Sequence, residues 1–571
     1  MQPATTARET ADIFQGETLD KASSAARSAG SDYPLLLKQC LLNVVDQAGD
    51  NEIVYRGEVR LTYTDLLARI SRLGSALRAM GIGPGDTVAV MEWDTHRYLE
   101  CFFAIPMLGA VIQTVNVRLS RDQIRYTLDH AGARLILSHT DFLPLIEDIV
   151  GDLPRVEGVV HLRDGCKTAD QPWIKAEYES LLADGVTDFV FPDFDEDTRA
   201  TTFYTSGTTG LPKGVFYSHR QLVLHALSTL AVLALGDRYG RFSRDTVYMP
   251  ITPMFHAHAW GIPFVATLAG CKQVYPGRYV PEELIELYRA EKVTFSHCVP
   301  TLLQMMLTSA ASEEVDFSGW QVLVGGSALS SGLARLAADR GVVLTTGYGM
   351  SETGPMVSLT RIKPESIGSD LDEIRLRTKV GMVVPLVELR IVDEEMRDVP
   401  RDGVSAGEIV LRSPWLTRGY HRDPAASADL WRGGYLHTQD LGRLDRHGYL
   451  QISDRLKDVI KTGGEWVSSL TMEDLISRHP AVLESAVIAV ADERWGERPG
   501  AVVVLKPGAR ATPEDIRRHL SAFAAAGEIP RYAVPDRLWF TDALDRTSVG
   551  KIDKKALRAR FLEQRPRPED L

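Results

Sequence analysis

ATTFYTSGTTGLPKGVFYSH, residues 200–219, sets a loop rich in hydroxyls and glycine between two stretches of extended character. Aromatic and β-branched residues on either side read as strands. The ten residues between them, TSGTTGLPKG (205–214), hold three Thr, one Ser, three Gly, one Pro and one Lys. Backbone N–H groups of Gly207, Thr208, Thr209 and Gly210, with the hydroxyls of Thr205, Ser206, Thr208 and Thr209, can surround an anion. Glycines admit the positive φ angles that turn successive N–H groups inward. Lys213 adds a mobile full charge, so phosphate is the natural occupant. A Walker A loop requires G-x-x-x-x-G-K-[ST] opening a helix; here Pro212 precedes the lysine and a strand follows it. The reading is a β-loop-β phosphate clamp, set against that of a flexible surface hairpin.

The chain around this loop has 571 residues, enough for several compact units. Its 44% hydrophobic and 25% charged fractions are those of a soluble globular protein. A net charge of -12 argues against a general nucleic-acid partner and against adhesion to anionic lipid. A small acidic substrate needs only a local cluster of positive charge. Five scattered cysteines (Cys40, Cys101, Cys166, Cys271, Cys298), without a C-x-x-C pair, suit free thiols in a reducing compartment. The N-terminal thirty-odd residues carry acids and no apolar core, so they read as a partly disordered extension and not as a signal peptide. CFFAIPMLGAVI (101–112), the longest apolar stretch, is short of the roughly 18 residues of a membrane span. A cytoplasmic enzyme without stable membrane insertion is expected.

From about residue 35 helical and extended patterns alternate. LTYTDLLARISRLGSALRAM is helical, TVAVME extended, HRYLECFFAIPMLGAV a buried helix and ARLILS extended. The alternation recurs at PEELIELYRAEK, VTFSHCV, PTLLQMML and WQVLVGG, which predicts stacked α/β layers with largely parallel sheets. After about residue 360, short strands such as VELRIVDEE, GEIVLRSP and GYLQIS predict a β-rich subdomain. Two further strands, SAVIAVA and GAVVVL, precede a helix opened by Thr512 and Pro513. A boundary is placed near Lys457.

YTSGTTGLPKG resembles the phosphate loop of the adenylate-forming superfamily of acyl-CoA synthetases, adenylation domains and luciferases. PMFHAHAWG, VGGSALS, GYGMSETG, GEIVLRSPWLTRGY, GYLHTQDLG, DRLKDVIKTGGEWVSS and RTSVGKIDKKALR follow in that family's order. WDTHRYLECFFAIPMLGAVIQTVNVRLS and GGEWVSSLTMEDLI are similar to the medium- to long-chain fatty-acyl-CoA synthetase branch. The resemblance implies an α/β fold with an N-terminal adenylation domain (34–456) of stacked α/β layers plus a β-rich subdomain. A small mobile α+β C-terminal domain (457–571) and an extension (1–33) complete it. The implied reaction joins a carboxylic acid to CoA through an acyl-adenylate, using ATP and Mg²⁺. Homodimerisation is a further expectation of the family.

The resemblance also assigns roles. Thr205 through Lys213 would hold the β- and γ-phosphates, and Glu352 the Mg²⁺, which takes oxygen ligands and bridges phosphates. Ser351 stands where Thr is usual and keeps a hydroxyl for the α-phosphate. Adenine would lie between Tyr348, with Gly349 after it, and the backbone of Gly325, Gly326 and Ser327. Asp440 and Arg455 would take the ribose hydroxyls, although Gln439 replaces the glycine common before that acid. Lys551 would reach both the carboxylate and the α-phosphate, as a mobile point charge can. LDRTS replaces the family's Leu-Pro-Lys-Thr ahead of it, so Asp545 and Arg546 bear on how this loop docks. His256 would stand beside the substrate carboxylate. Trp260, Val299, Leu302, Leu303 and Met306 would line the acyl pocket, with core packing as the alternative for the helix that carries the last three. Lys457 matches the hinge, and Lys461, Gly463 and Gly464 the second step with CoA. The expected activity is AMP-forming ligation of a fatty acid, of medium chain length, to CoA. The alternatives are an aryl, branched or sulfur-containing acid, or a carrier protein as acceptor.

Overall fold

The computed structural model describes residues 33–165, 170–205, 211–236, 241–363, 370–548 and 550–562. Ser206, Gly207, Thr208, Thr209 and Gly210 lie outside them, as do Cys166 and, apart from Tyr33, the expected extension. The two flanks of the phosphate loop are the strands Arg199–Thr205 and Lys213–Ser218, paired antiparallel with Thr205 opposite Lys213. A helix, His219–Leu235, leaves the second strand through a capping box in which Ser218 and Gln221 satisfy one another's N–H groups.

These strands form one edge of a seven-stranded sheet, in the order Ile174–Glu177, Gly158–Leu162, Ala133–His139, Thr87–Met91, Val111–Thr114, Arg199–Thr205, Lys213–Ser218. All pairings but the last are parallel. Helices cover the sheet, and its strands read as continuous apolar runs because both faces are buried. The helix His96–Met107 between two of them has every residue buried, including Arg97 and Glu100. Both charges are paired: Arg97 with Glu92 at 3.1 Å and Asp164 at 2.8 Å, Glu100 with Arg69 at 2.7 Å. Deleting one partner of such a pair costs about 3–5 kcal/mol, because the other charge is stranded.

A second, nine-stranded sheet runs Met382–Val383, Met356–Leu359, Val343–Gly349, Gln321–Val324, Phe295–Cys298, Val247–Ile251, Lys272–Tyr275, Glu52–Tyr55, Val59–Thr62. Its six central strands, from Val343–Gly349 to Glu52–Tyr55, are parallel. The expected β-rich part is a four-stranded antiparallel sheet of Glu388–Val392, Gly407–Arg412, Leu436–Leu444 and Leu450–Arg455. Beyond Lys457 a five-stranded sheet begins at Ile460–Thr462 and is built on the long hairpin Val482–Asp492 and Gly496–Leu505. The helix Pro513–Ala525 packs there, opened by Thr512 as predicted. The described cysteines, Cys40, Cys101, Cys271 and Cys298, are free and buried. Among the described residues no helix is long and apolar enough to cross a membrane.

Candidate active site

The parallel strands of the second sheet end at Cys298, Val324 and Gly349, and Val299, Trp260 and Lys551 meet at Gly326, just beyond the second of those ends. That is where open α/β sheets bind ligands. Gly326, at φ +78°, marks the meeting point. A Cβ there would stand 3.1 Å from Val299 Cγ1, 3.5 Å from Lys551 Cε and 3.6 Å from Trp260 Cζ2. Trp260 also lies against Gly325, whose added Cβ would meet its ring at 3.2 Å. Gly349 is obligatory for a different reason, since a Cβ would fall 1.8 Å from the Pro355 carbonyl oxygen.

On one side stands a trio joined by a hydrogen bond and an ion pair. Tyr348 Oη donates to Asp440 Oδ2 at 2.8 Å, and Arg455 Nε lies 3.3 Å from Asp440 Oδ1. Asp440 and Arg455 are register partners on adjacent antiparallel strands, so backbone pairing sets their spacing. Each carboxylate oxygen retains acceptor capacity for hydroxyl donors. Gln439, the departure beside them, has φ +59° and an exposed side chain. Its side chain leaves the site; what it keeps is the left-handed backbone that glycine would take.

On the other side Glu352 is buried in a short 3₁₀ turn, Ser351–Thr353. Burial raises its carboxyl pKa, while the Tyr420 hydrogen bond and the charges of Lys551 and Arg455 act the other way. Tyr420 Oη donates to Glu352 Oε1 at 2.7 Å, and Lys213 Nζ sits 4.7 Å from the Tyr420 ring centroid. Tyr420 therefore joins the lysine of the phosphate loop to the acid, a link of 68 residues that no local pattern announces. Tyr217 Oη holds the Ser351 carbonyl at 2.5 Å. Among the described residues no group of three or more His, Cys, Asp or Glu side chains could cage a metal. A lone carboxylate fits Mg²⁺ carried on phosphates, since that ion is commonly held by one or two carboxylates plus its substrate.

Lys551 enters from the C-terminal sheet's domain. Burial, then repulsion from Arg455, lowers its pKa to about 8, while Asp440 and Glu352 draw it upward. It sits on a tight loop: Thr547 N donates to Lys551 O at 2.7 Å and Gly550 N to Thr547 O at 2.9 Å. Asn116 Nδ2 reaches Ser548 Oγ at 3.0 Å, and Thr301 Oγ1 reaches the Gly550 carbonyl at 3.4 Å. His256 is held near pKa 3 by burial and then by Lys551, so it acts as a neutral hydrogen-bonding group. His258 is packed among Phe102, Phe203 and Phe264 and meets Thr201 Oγ1 at 2.8 Å, a core histidine.

The helix Pro300–Thr308 divides the expected acyl-pocket residues. Val299 belongs to the core cluster that contains Trp260, whereas Leu303 and Met306 pack with Leu284, Phe317 and Trp320. Leu302 is half-buried against both clusters. Lys457 lies exposed between the strands Leu450–Arg455 and Ile460–Thr462. Lys461, Gly463 and Gly464 form a hairpin tied to the C-terminal sheet: Lys461 N bonds Glu497 at 2.9 Å and Gly463 N bonds the Trp495 carbonyl at 2.8 Å. Thr205 ends its strand where the phosphate loop begins, and Ser327 follows Gly326 in the turn beyond the strand Gln321–Val324.

Comparison with known proteins gives the family and the fold. The model of the AMP-binding enzyme family matches residues 42–421, and that of the AMP-binding enzyme C-terminal domain matches 471–551. A long-chain-fatty-acid–CoA ligase of Thermus thermophilus is 40% identical over 527 residues, covering 90% of this chain and 93% of its own. A medium-chain-fatty-acid–CoA ligase of Ectopseudomonas oleovorans is 36% identical over 513 residues, covering 88% and 91%. The crystal structure of ATP-bound MatB from Rhodopseudomonas palustris superposes with a TM-score of 0.79 at 26% identity, covering 93% of this chain and 99% of that one.

Proposed function

Because the chain belongs to the AMP-binding enzyme family and is an AMP-forming acid–thiol ligase of the acyl-CoA synthetase kind, we propose that its acid is a medium-chain fatty acid. The observation that carries the reading is the convergence on Gly326 of Lys551, Trp260 and Val299, with the charges of Arg455, Asp440 and Glu352 felt by Lys551. The segments that carry the proposed acyl-wall residues Trp260, Val299 and Leu302, AHAW (257–260) and CVPTLLQMML (298–307), hold no Lys, Arg, Asp or Glu. They offer an amino group no counter-charge and an alkyl chain an apolar wall. Trp260 closes that wall against Gly325 and Gly326, which supports a chain of limited length. Two relatives are named for fatty acids, one long-chain and one medium-chain, which supports a fatty acid without choosing its length.

In the first half-reaction the acid's carboxylate attacks the α-phosphorus of ATP and pyrophosphate leaves. One anion approaches another, so fixed positive charge is what the site must supply. Lys551 takes that part, its ammonium bridging carboxylate and α-phosphate. Neutral His256 donates a hydrogen bond beside the carboxylate. Lys213 and Thr205, with Ser206–Gly210 between them, hold the outer phosphates, and Ser351 the α-phosphate. Mg²⁺ held through Glu352 would neutralise phosphate charge. Tyr348 stacks on adenine over Gly325, Gly326 and Ser327, and Asp440 with Arg455 binds the ribose. In the second half-reaction the CoA thiol attacks the acyl carbonyl and AMP leaves. Rotation about Lys457 withdraws Lys551 and brings Lys461, Gly463 and Gly464 to the thiol's path. The cytoplasm is the compartment proposed, in keeping with the free, buried thiols.

The test is kcat/KM for CoA-dependent pyrophosphate release across straight-chain acids from acetate to palmitate, with benzoate, cinnamate and 3-methylthiopropionate. The expected maximum lies between hexanoate and dodecanoate. A maximum on an aromatic or sulfur-containing acid overturns the assignment, and release that CoA does not accelerate points to a carrier protein as acceptor.

A further inference from the structure

Arg546 is a charged residue ahead of Lys551 in the segment that departs from the family's pattern. Its Nη1 donates to Thr301 Oγ1 at 2.6 Å and to the Gly550 carbonyl at 3.1 Å. Its Nη2 pairs with Glu484. Glu484 stands on the strand Val482–Asp492 of the C-terminal sheet, and Gly550 immediately precedes Lys551. Thr301 belongs to the helix Pro300–Thr308, which opens directly after Val299 at the acyl wall. One planar guanidinium thus spans the C-terminal sheet, the lysine loop and the wall of the acid site. A fork of fixed donors suits that task, where the point charge of a lysine would satisfy one partner at a time.

We propose that Arg546 is a positioning residue that clamps Lys551 into the adenylation arrangement, with Thr301 as the releasable acceptor. The contacts differ in kind. Those to Glu484 and Gly550 lie within the C-terminal domain and travel with it. The contact to Thr301, like that of Asn116 with Ser548, crosses to the N-terminal part and involves an uncharged partner. Withdrawing the lysine breaks a neutral acceptor away from a guanidinium whose charge stays compensated by Glu484. The clamp is therefore reversible without stranding a charge, which the second half-reaction requires. The backbone of Arg546 pairs with Ile552 across the same loop, so displacing Arg546 displaces Lys551. This inference rests on the two-step ligase reading above.

Its test separates the half-reactions in the full-length enzyme. Arg546→Ala and Thr301→Val are expected to lower acid-dependent ATP–pyrophosphate exchange about tenfold or more. Transfer from supplied acyl-adenylate to CoA should change by less than about threefold, since that step does not use Lys551. Arg546→Lys should recover only part of the exchange. Equal loss in both halves, or no loss in Thr301→Val, overturns the clamp and leaves Arg546 as a fold-stabilising residue. An activity-independent arm uses Asn116→Cys with Ser548→Cys in a Cys166→Ser background. Crosslinking by a short bis-maleimide should slow several-fold when Arg546→Ala or Thr301→Val is added, and an unchanged rate overturns the clamp. Wild-type enzyme silent with every acid while crosslinking still responds would count against the substrate assignment and leave the clamp standing.

Discussion

Gln439 holds a φ of +59° with its side chain in solvent, one residue before the acid that Tyr348 and Arg455 grip. A left-handed conformation costs a residue with a Cβ about 1–2 kcal/mol, and glycine takes it freely. Replacing Gln439 by Gly removes that cost and adds back about 0.5–1 kcal/mol of unfolded-chain entropy. Gln439→Gly should therefore stabilise the protein by about 0.5–1 kcal/mol, read as a shifted urea midpoint at constant m, with ATP–pyrophosphate exchange unchanged. A lowered midpoint would mean that the glutamine side chain makes a contribution of its own. At this scale a motif could name a candidate, as for Asp440, Arg455 and Glu352, whose roles belong to the proposed function. Tyr420 closes the stretch GEIVLRSPWLTRGY with no role assigned to it there, because a hydroxyl that reaches an acid 68 positions away leaves no periodicity to read. Gln439 could be flagged only as a departure, since nothing local says whether a side chain beside the ribose acid turns in or out.

The turn Ala257–Trp260 is the element whose conformation the sequence conceals most fully. Its four residues have φ of +46°, +55°, +48° and +59°, a left-handed turn without a glycine, followed by Gly261 at +73°. Local propensity opposes it at about 1–2 kcal/mol per residue. Tertiary packing imposes it, for all four side chains are buried, and the outcome is Trp260 laid over Gly325 and Gly326. By contrast the alternating strands and helices were read correctly in type, because sheets buried on both faces leave continuous apolar runs and covering helices leave a 3.6-residue period. The packing around Gly326 has a direct consequence. A methyl there would press on Val299 at 3.1 Å and touch Lys551 Cε at 3.5 Å, on a backbone of φ +78°. Gly326→Ala is expected to cost about 1–2 kcal/mol of stability and to lower exchange about tenfold or more, since a displacement of 1 Å at reacting groups can cost about a hundredfold. Full exchange activity in this variant would show that Gly326 does not set the spacing of Lys551 and Trp260.

For the whole molecule, the order of motifs along the chain was enough to place one large and one small unit, but not the contacts that bring Lys551 to Gly326. Those are made by Asn116, Thr301 and Arg546, residues that belong to different layers and share no spacing. Docking has an electrostatic signature that can be followed by pH. Burial, then Arg455, holds the ammonium of Lys551 at a pKa of about 8, against an ordinary lysine near 10.5. Two opposite trends follow from that one shift. Adenylation needs the protonated lysine, so exchange should fall as pH rises through about 8, with bound ATP moving the midpoint upward because its phosphates favour the cation. Stability runs the other way. Below about 8 both folded and unfolded chains carry the proton, and the cost of burying the charge is present in full; between about 8 and 10.5 only the unfolded chain binds it, so this residue's contribution to stability rises with pH. Exchange rates and urea midpoints measured from pH 7 to 10, for wild type and Lys551→Met, test both trends. The variant should lose the decline in exchange, because little exchange remains, and should also lose this residue's part of the rise in stability. A wild-type exchange rate flat across the range would remove Lys551 from the attacking step, whatever its place in the fold.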